Sequence, residues 1–105
     1  MYFVEFLEPK SGVELERFQR VVAQYARRWA DDHPEDELVM NVGRTWWLGP
    51  TPAYLTVWKV SDVSTLNRWG REVGVPGAHE LHREFAEVAT IVQAGLYEDI
   101  GEEMA

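Results

Sequence analysis

Two groups of titratable side chains stand out for chemistry. Glu5 is the only polar residue in the middle of the apolar run YFVEFL. A carboxyl buried there would lose hydration, its pKa would rise, and it would serve as an acid or base. Facing a subunit seam or an arginine instead, it would be structural. His79 and His82, in HELH, stand at i and i+3 and so share one helix face. Either would act as a proton acceptor if it reached a pocket, because imidazole titrates near neutrality; otherwise the two are a surface pair. A zinc site needs at least a third protein ligand, and HELH is not the H-E-x-x-H spacing, so no metal site is assigned.

The aromatic residues form the second candidate. The segment RTWWLGPTPAYLTVWKVSD, residues 44–62, holds Trp46, Trp47 and Trp58, three of the chain's five tryptophans. Trp46, Tyr54 and Trp58 could wall a pocket for a flat apolar ligand, with Arg44 and Thr56 orienting it, since small-molecule sites are mostly apolar with a few fixed polar groups. Arg44 over an indole would gain about 0.5–2 kcal/mol. The competing reading is packing: each such ring buries about 150–250 Å² and fills a core or an interface well. Trp69 joins the candidate wall residues. Glycine loops of nucleotide sites and the G-x-S-x-G elbow are both missing.

Composition narrows the partners. The chain has 105 residues, enough for a single domain spanning 1–105, with 46% hydrophobic residues and a formal net charge of −8. Arg27-Arg28 is the only adjacent basic pair. Such a surface repels phosphate backbones and anionic lipid, so neither nucleic acid nor a membrane is an expected partner. The absence of cysteine excludes disulfides and fits a reducing cytoplasm. No signal peptide and no apolar stretch of about 20 residues is seen.

These residues need elements to position them. Tyr2–Glu8 reads as a strand apolar on both faces, hence central. Ser11 and Glu14 have capping-box spacing. Leu15, Phe18, Val22, Tyr25, Ala26 and Trp29 then follow at helical spacing, and the helix ends near DDHPED, where Pro34 cannot continue it. Residues 37–47 and 53–60 read as a hairpin about LGPTP. If Trp47 pairs with Ala53, Trp46 faces Tyr54, Arg44 faces Thr56 and Val42 faces Trp58, and a one-residue slip would redistribute them between faces. Ser61 or Asp62 can cap a helix carrying Val63, Leu66 and Trp69; GVPGA breaks it. Ala78–Val88 is helical again, and Thr90–Tyr97 is the last strand.

The order β-α-β-β-α-(α)-β predicts an α+β fold: a ferredoxin-like βαββαβ unit with a four-stranded antiparallel sheet and its helices on one face. The other face would expose several large apolar residues, more than scattered surface exposure explains. A second copy packed sheet to sheet would cover it, so a homodimer is expected.

AYLTVWKVSDVSTLNRW, residues 53–69, resembles the third strand and following helix of the dimeric α+β barrel superfamily, in its antibiotic-biosynthesis-monooxygenase-like branch. The resemblance extends over nearly the whole chain in element order. It implies two sheets packed into a dimeric barrel, and it places Trp58 beside a ligand cavity between sheet and helices. Two departures speak against haem. Trp69 stands roughly where haem-degrading relatives carry a histidine, and the first strand has no amide. No cofactor is therefore assigned. The implied function is binding of a small aromatic or apolar molecule, extending to cofactor-independent monooxygenase-like turnover. The alternative is a non-catalytic dimeric module that senses a ligand or joins another protein. A metal or haem site through the two histidines is the third reading.

Overall fold

Large apolar residues on both sides of YFVEFL call for a strand with cover above and below and neighbours at both edges. The computed structural model gives the strand neighbours at both edges and helical cover on one face. It describes residues 1–44, 53–61, 63–73 and 80–101, with the backbone alone for 63, 70–73, 80 and 81. The elements are β1 (Tyr2–Pro9), α1 (Leu15–Asp32), β2 (Glu37–Gly43), β3 (Tyr54–Lys59), α2 (Val63–Val73), α3 (Glu80–Val88) and β4 (Ala89–Tyr97). They form an α+β arrangement whose four-stranded sheet runs β2-β3-β1-β4, with every described pairing antiparallel. This is compatible with the ferredoxin-like expectation. β1 lies between β3 and β4.

The start of α1 differs from expectation. Ser11 and Glu14 make no capping box: α1 begins at Leu15, and Glu14 makes no side-chain cap. Ser11 is used instead in a turn, closed by the Val13 N–H on the Lys10 carbonyl at 3.0 Å. Gly12 takes the third position of that turn at φ +82°, a conformation that glycine adopts without a Cβ clash. At the other end the His33 N–H bonds to the Trp29 carbonyl and Pro34 follows.

The hairpin register also differs. Gly43, rather than Trp46, lies opposite Tyr54, and Asn41, rather than Arg44, lies opposite Thr56. A shift of three residues is odd, so it exchanges faces. Met40 and Val42 therefore join Val57 and Leu55 on the outer face instead of sharing a face with Trp58. This register brings the strand end close to the first helix. The end of β2 passes close beneath α1, where Gln19 Nε2 donates to the Arg44 carbonyl at 3.1 Å. A Cβ at position 43 would lie 2.8 Å from that same nitrogen, so only glycine meets the helix there without displacing Gln19. Trp46, Trp47 and the LGPTP turn lie outside the described residues.

The helices cover one face. Phe18 of α1 meets Tyr54 edge to face at 6.1 Å, and Trp69 of α2 meets Phe3 and Trp58 at 5.6 and 5.4 Å. The core beneath them is in two parts. One gathers Leu7, Phe18, Val22, Tyr54 and Val88; the other gathers Ala26, Trp58 and Val60, with Phe3, Trp29 and Trp69 packed against it. On the outer face Met40, Val42 and Tyr97 are 43%, 47% and 48% exposed.

Asp36, only 4% exposed, fastens α2 over this core. Its Oδ2 accepts from the indole N–H groups of Trp69 at 2.6 Å and Trp29 at 3.3 Å. Its Oδ1 pairs with Arg68 at 2.8 Å, and Arg68 also reaches Glu35 at 2.7 Å. Asp36→Ala leaves two indole donors without their acceptor and removes one of the two carboxylates that the Arg68 guanidinium binds. It is expected to lower stability by about 2–4 kcal/mol, read as a fall in the urea midpoint with an unchanged slope. Asp36→Asn, which keeps one acceptor oxygen, should fall between Asp36→Ala and wild type.

Candidate functional site

The site begins as a polar pair in an apolar row. On the helix-facing side of β1 and β3 the facing pairs are Leu7–Tyr54, Glu5–Thr56 and Phe3–Trp58. The outer two pairs belong one to each core cluster. Glu5 and Thr56 stand between them. Between the clusters the helices span the sheet without filling the space, and a cavity of about 260 Å³ remains.

Its floor is Phe3, Glu5, Thr56 and Trp58; α1 contributes Tyr25 and Trp29, α2 Trp69, and α3 His82 and Phe85. Ile91 of β4, 46% exposed, also lines it and marks where it reaches the surface. The aromatic residues hold one another in place. Trp69 packs edge to face on Trp29 at 5.8 Å, and Tyr25 stacks on Phe85 at 4.7 Å. Trp29 in turn stacks on His33 at 4.3 Å, so His33 is half-buried rather than free in the acidic loop.

Two polar groups face each other's side of this space. Thr56 Oγ1 donates to Glu5 Oε1 at 2.9 Å. Burial drives the Glu5 pKa above its ordinary value of 4.5, opposed by the Thr56 hydrogen bond and by the nearby Trp58 N–H. That indole N–H is buried and makes no full hydrogen bond among the described residues. On the helix side, the Tyr25 hydroxyl and His82 Nδ1 lie 3.2 Å apart, either one donating according to the imidazole tautomer. The arrangement offers an acid–base carboxyl on one wall, a phenol–imidazole pair on another, and aromatic surface between.

Of the residues singled out from the sequence, Glu5, Thr56, Trp58, Trp69 and His82 line this one cavity. Tyr54 is buried in the neighbouring core cluster, where its hydroxyl donates to Asn41 Oδ1; burial raises its pKa, and the Arg27 charge opposes the rise. Arg44 lies at the end of β2, away from the cavity lining, with its buried Nε unpartnered among the described residues. Trp46 and His79 lie outside the described residues. Tyr25, Trp29 and Phe85 line the cavity without having been singled out for a site. Tyr25 and Trp29 lie on the helical stripe read as core, and the signal there was a hydroxyl one turn from an indole on that stripe.

Among the described residues no group of three or more His, Asp or Glu side chains is placed to hold a metal ion, and no helix is long and apolar enough to cross a membrane. Comparison with protein-family models, with curated proteins and with solved structures finds no match to this chain.

The Glu5 pKa makes a test of the site's polarity. A carboxyl whose folded-state pKa is raised binds its proton more tightly in the folded chain than in the unfolded one. Stability therefore falls as pH climbs from the ordinary value of 4.5 through the raised folded value. Glu5→Gln removes that dependence. Relative to this variant, wild type should lose up to about 1.4 kcal/mol per pH unit across that window, with the gap narrowing again below it. Urea unfolding of both proteins from acid to neutral pH measures the gap.

Proposed function

We propose that this chain is a small-molecule-binding protein of the dimeric α+β barrel type, acting on an aromatic or apolar ligand held between its sheet and helices. The observation that carries this reading is the cavity of about 260 Å³ with Glu5, Thr56 and the Tyr25–His82 pair converging on it. An apolar void of about 150 Å³ takes a benzene molecule, and pockets for drug-sized ligands run from about 300 Å³. The ligand that fits is therefore one or two rings in size. Aromatic walls favour a flat molecule.

Glu5 favours turnover over simple binding. A carboxyl held above its ordinary pKa in a water-poor site is a stronger base than a solvated one. Proton removal from a bound phenol or activated carbon is the step with which cofactor-independent oxygenation by molecular oxygen begins. The monooxygenase-like reading assigns that role to Glu5, with His82 and His79 as further acceptors. A ligand-sensing module would use the same cavity without the proton transfer.

Intrinsic tryptophan fluorescence reads occupancy, because Trp29, Trp58 and Trp69 line the space. Titration with 1-naphthol should give a saturable change in wild type and a weakened one in Trp58→Ala. Ala26→Leu, which extends a buried lining residue into the void, should stay folded and bind about tenfold or more weakly. A wild-type titration without saturation would remove the binding reading.

The outer face carries the dimer proposal. Val4, Val57, Met40 and Val42 lie together there by register, and a sheet-paired partner would cover them. Sedimentation equilibrium at micromolar concentration should give a dimer for wild type and a monomer for Val57→Glu, with both cavities still accepting 1-naphthol. A wild-type monomer at that concentration would exclude sheet pairing.

A further inference from the structure

The charge around the cavity narrows the ligand further. Among the described residues that line it, Glu5 is the one acidic side chain, and no lysine or arginine takes part. Among the described residues Glu5 makes no ion pair; its hydrogen bond comes from the neutral Thr56 hydroxyl. An anion so placed lacks compensation, because a buried carboxylate needs a counter-charge or several donors. Beside it, among the described residues, stand only two neutral donors, the Thr56 hydroxyl and the Trp58 indole N–H, but the walls are rich in something else. Phe3, Tyr25, Trp29, Trp58, Trp69 and Phe85 surround the same space, and an aromatic face is electron-rich and attracts a cation. Trp69 meets Phe3, Trp29 and Trp58 edge to face at interplanar angles of 66–77°, and Tyr25 stacks on Phe85, so the space is bordered by aromatic walls. The chain's net charge of −8 concentrates cations near its surface.

We infer that the ligand of this cavity is an organic ammonium: an aromatic or apolar body of one or two rings whose single positive nitrogen pairs with Glu5 between the aromatic walls. This rests on the reading of the cavity as a binding site and names the class it takes. A bound ammonium supplies a counter-charge to the carboxylate and offsets the penalty of burying it. A neutral ligand leaves that penalty in place, and an anion adds repulsion to it.

Benzylammonium, benzyl alcohol and benzoate share a ring and one substituted carbon and differ in charge, so their ranking isolates the charge. Tryptophan fluorescence titrations of the wild-type protein at neutral pH should give benzylammonium an affinity at least about tenfold above benzyl alcohol, with no saturable signal from benzoate. In Glu5→Gln, verified as folded by near-ultraviolet circular dichroism, the preference should collapse to within about twofold. Equal affinities for the ammonium and the alcohol in wild type, or a preference that survives in folded Glu5→Gln, overturns the inference and leaves the binding reading in place. Failure of every probe, 1-naphthol included, removes both. The wild-type ranking decides the matter even if the variant does not fold.

Discussion

A carboxyl at the midpoint of the central strand, on the face that the helices cover, is the constraint from which the rest of the architecture follows. Had position 5 been apolar, α1, α2 and α3 could settle onto one continuous core, as close packing favours. Glu5 instead divides the row: Leu7 and Phe3, two residues to either side on the same face, each anchor a separate cluster. Thr56 stands opposite and accepts the same division, giving the carboxyl a hydrogen bond without closing over it. The cavity is the space between two cores that the polar pair keeps apart. Its lining forgoes packing contacts on one side, so the rings around it must be held by something other than the cavity's own contents.

Asp36 is that something. It binds the indole edges of Trp29 and Trp69 through one oxygen and Arg68 through the other, tying α1, α2 and the start of β2 together at a single buried point. The indoles' polar edges are thereby satisfied away from the cavity, which leaves ring surface for the interior. Trp69 then bears on Phe3 and Trp58, so the position of the roof is transmitted to the floor. An acid in this loop thus shapes the aromatic wall without touching its contents.

Much of the framework was legible in the sequence because it rests on local periodicity. The alternation of YFVEFL gave a strand apolar on both faces, and the i, i+3, i+4 stripe from Leu15 to Trp29 gave α1. Glu5 stood out because charge is rare in such a run. The register of β2 on β3 was not legible. It brings Gly43 under Gln19, a contact between residues far apart in the chain that no hairpin rule contains. Ser11 spaced from Glu14 mimicked a capping box, yet Gly12 beside it favoured a turn. Asp36 lay within DDHPED, where five polar or charged residues look alike and only tertiary structure selects one for burial. Tyr25 carried the same periodic signal as its core neighbours. Whether a stripe residue seals a core or borders a void depends on what stands opposite, which for Tyr25 is decided by Glu5 and Thr56 on distant strands.

The two faces of the sheet answer opposite demands. On the helix side, packing is given up where the cavity lies; on the outer side, Val4, Leu55, Val57, Met40 and Val42 form an apolar surface that these helices do not cover. A chain of about 100 residues has little core to spare, since it buries only about two thirds of its unfolded surface. Under the proposed sheet pairing the outer face makes up the deficit: apolar area removed from water contributes about 25 cal/mol per Å², and a standard interface removes about 800 Å² from each partner. That stabilisation acts on β1 and β3, the strands that carry Glu5, Thr56 and Trp58. It reaches them from the side opposite the cavity, so it makes the floor rigid without filling the site. On that proposal a divided core and an exposed apolar sheet are two halves of one arrangement, in which the second subunit would supply the stability that the cavity removes.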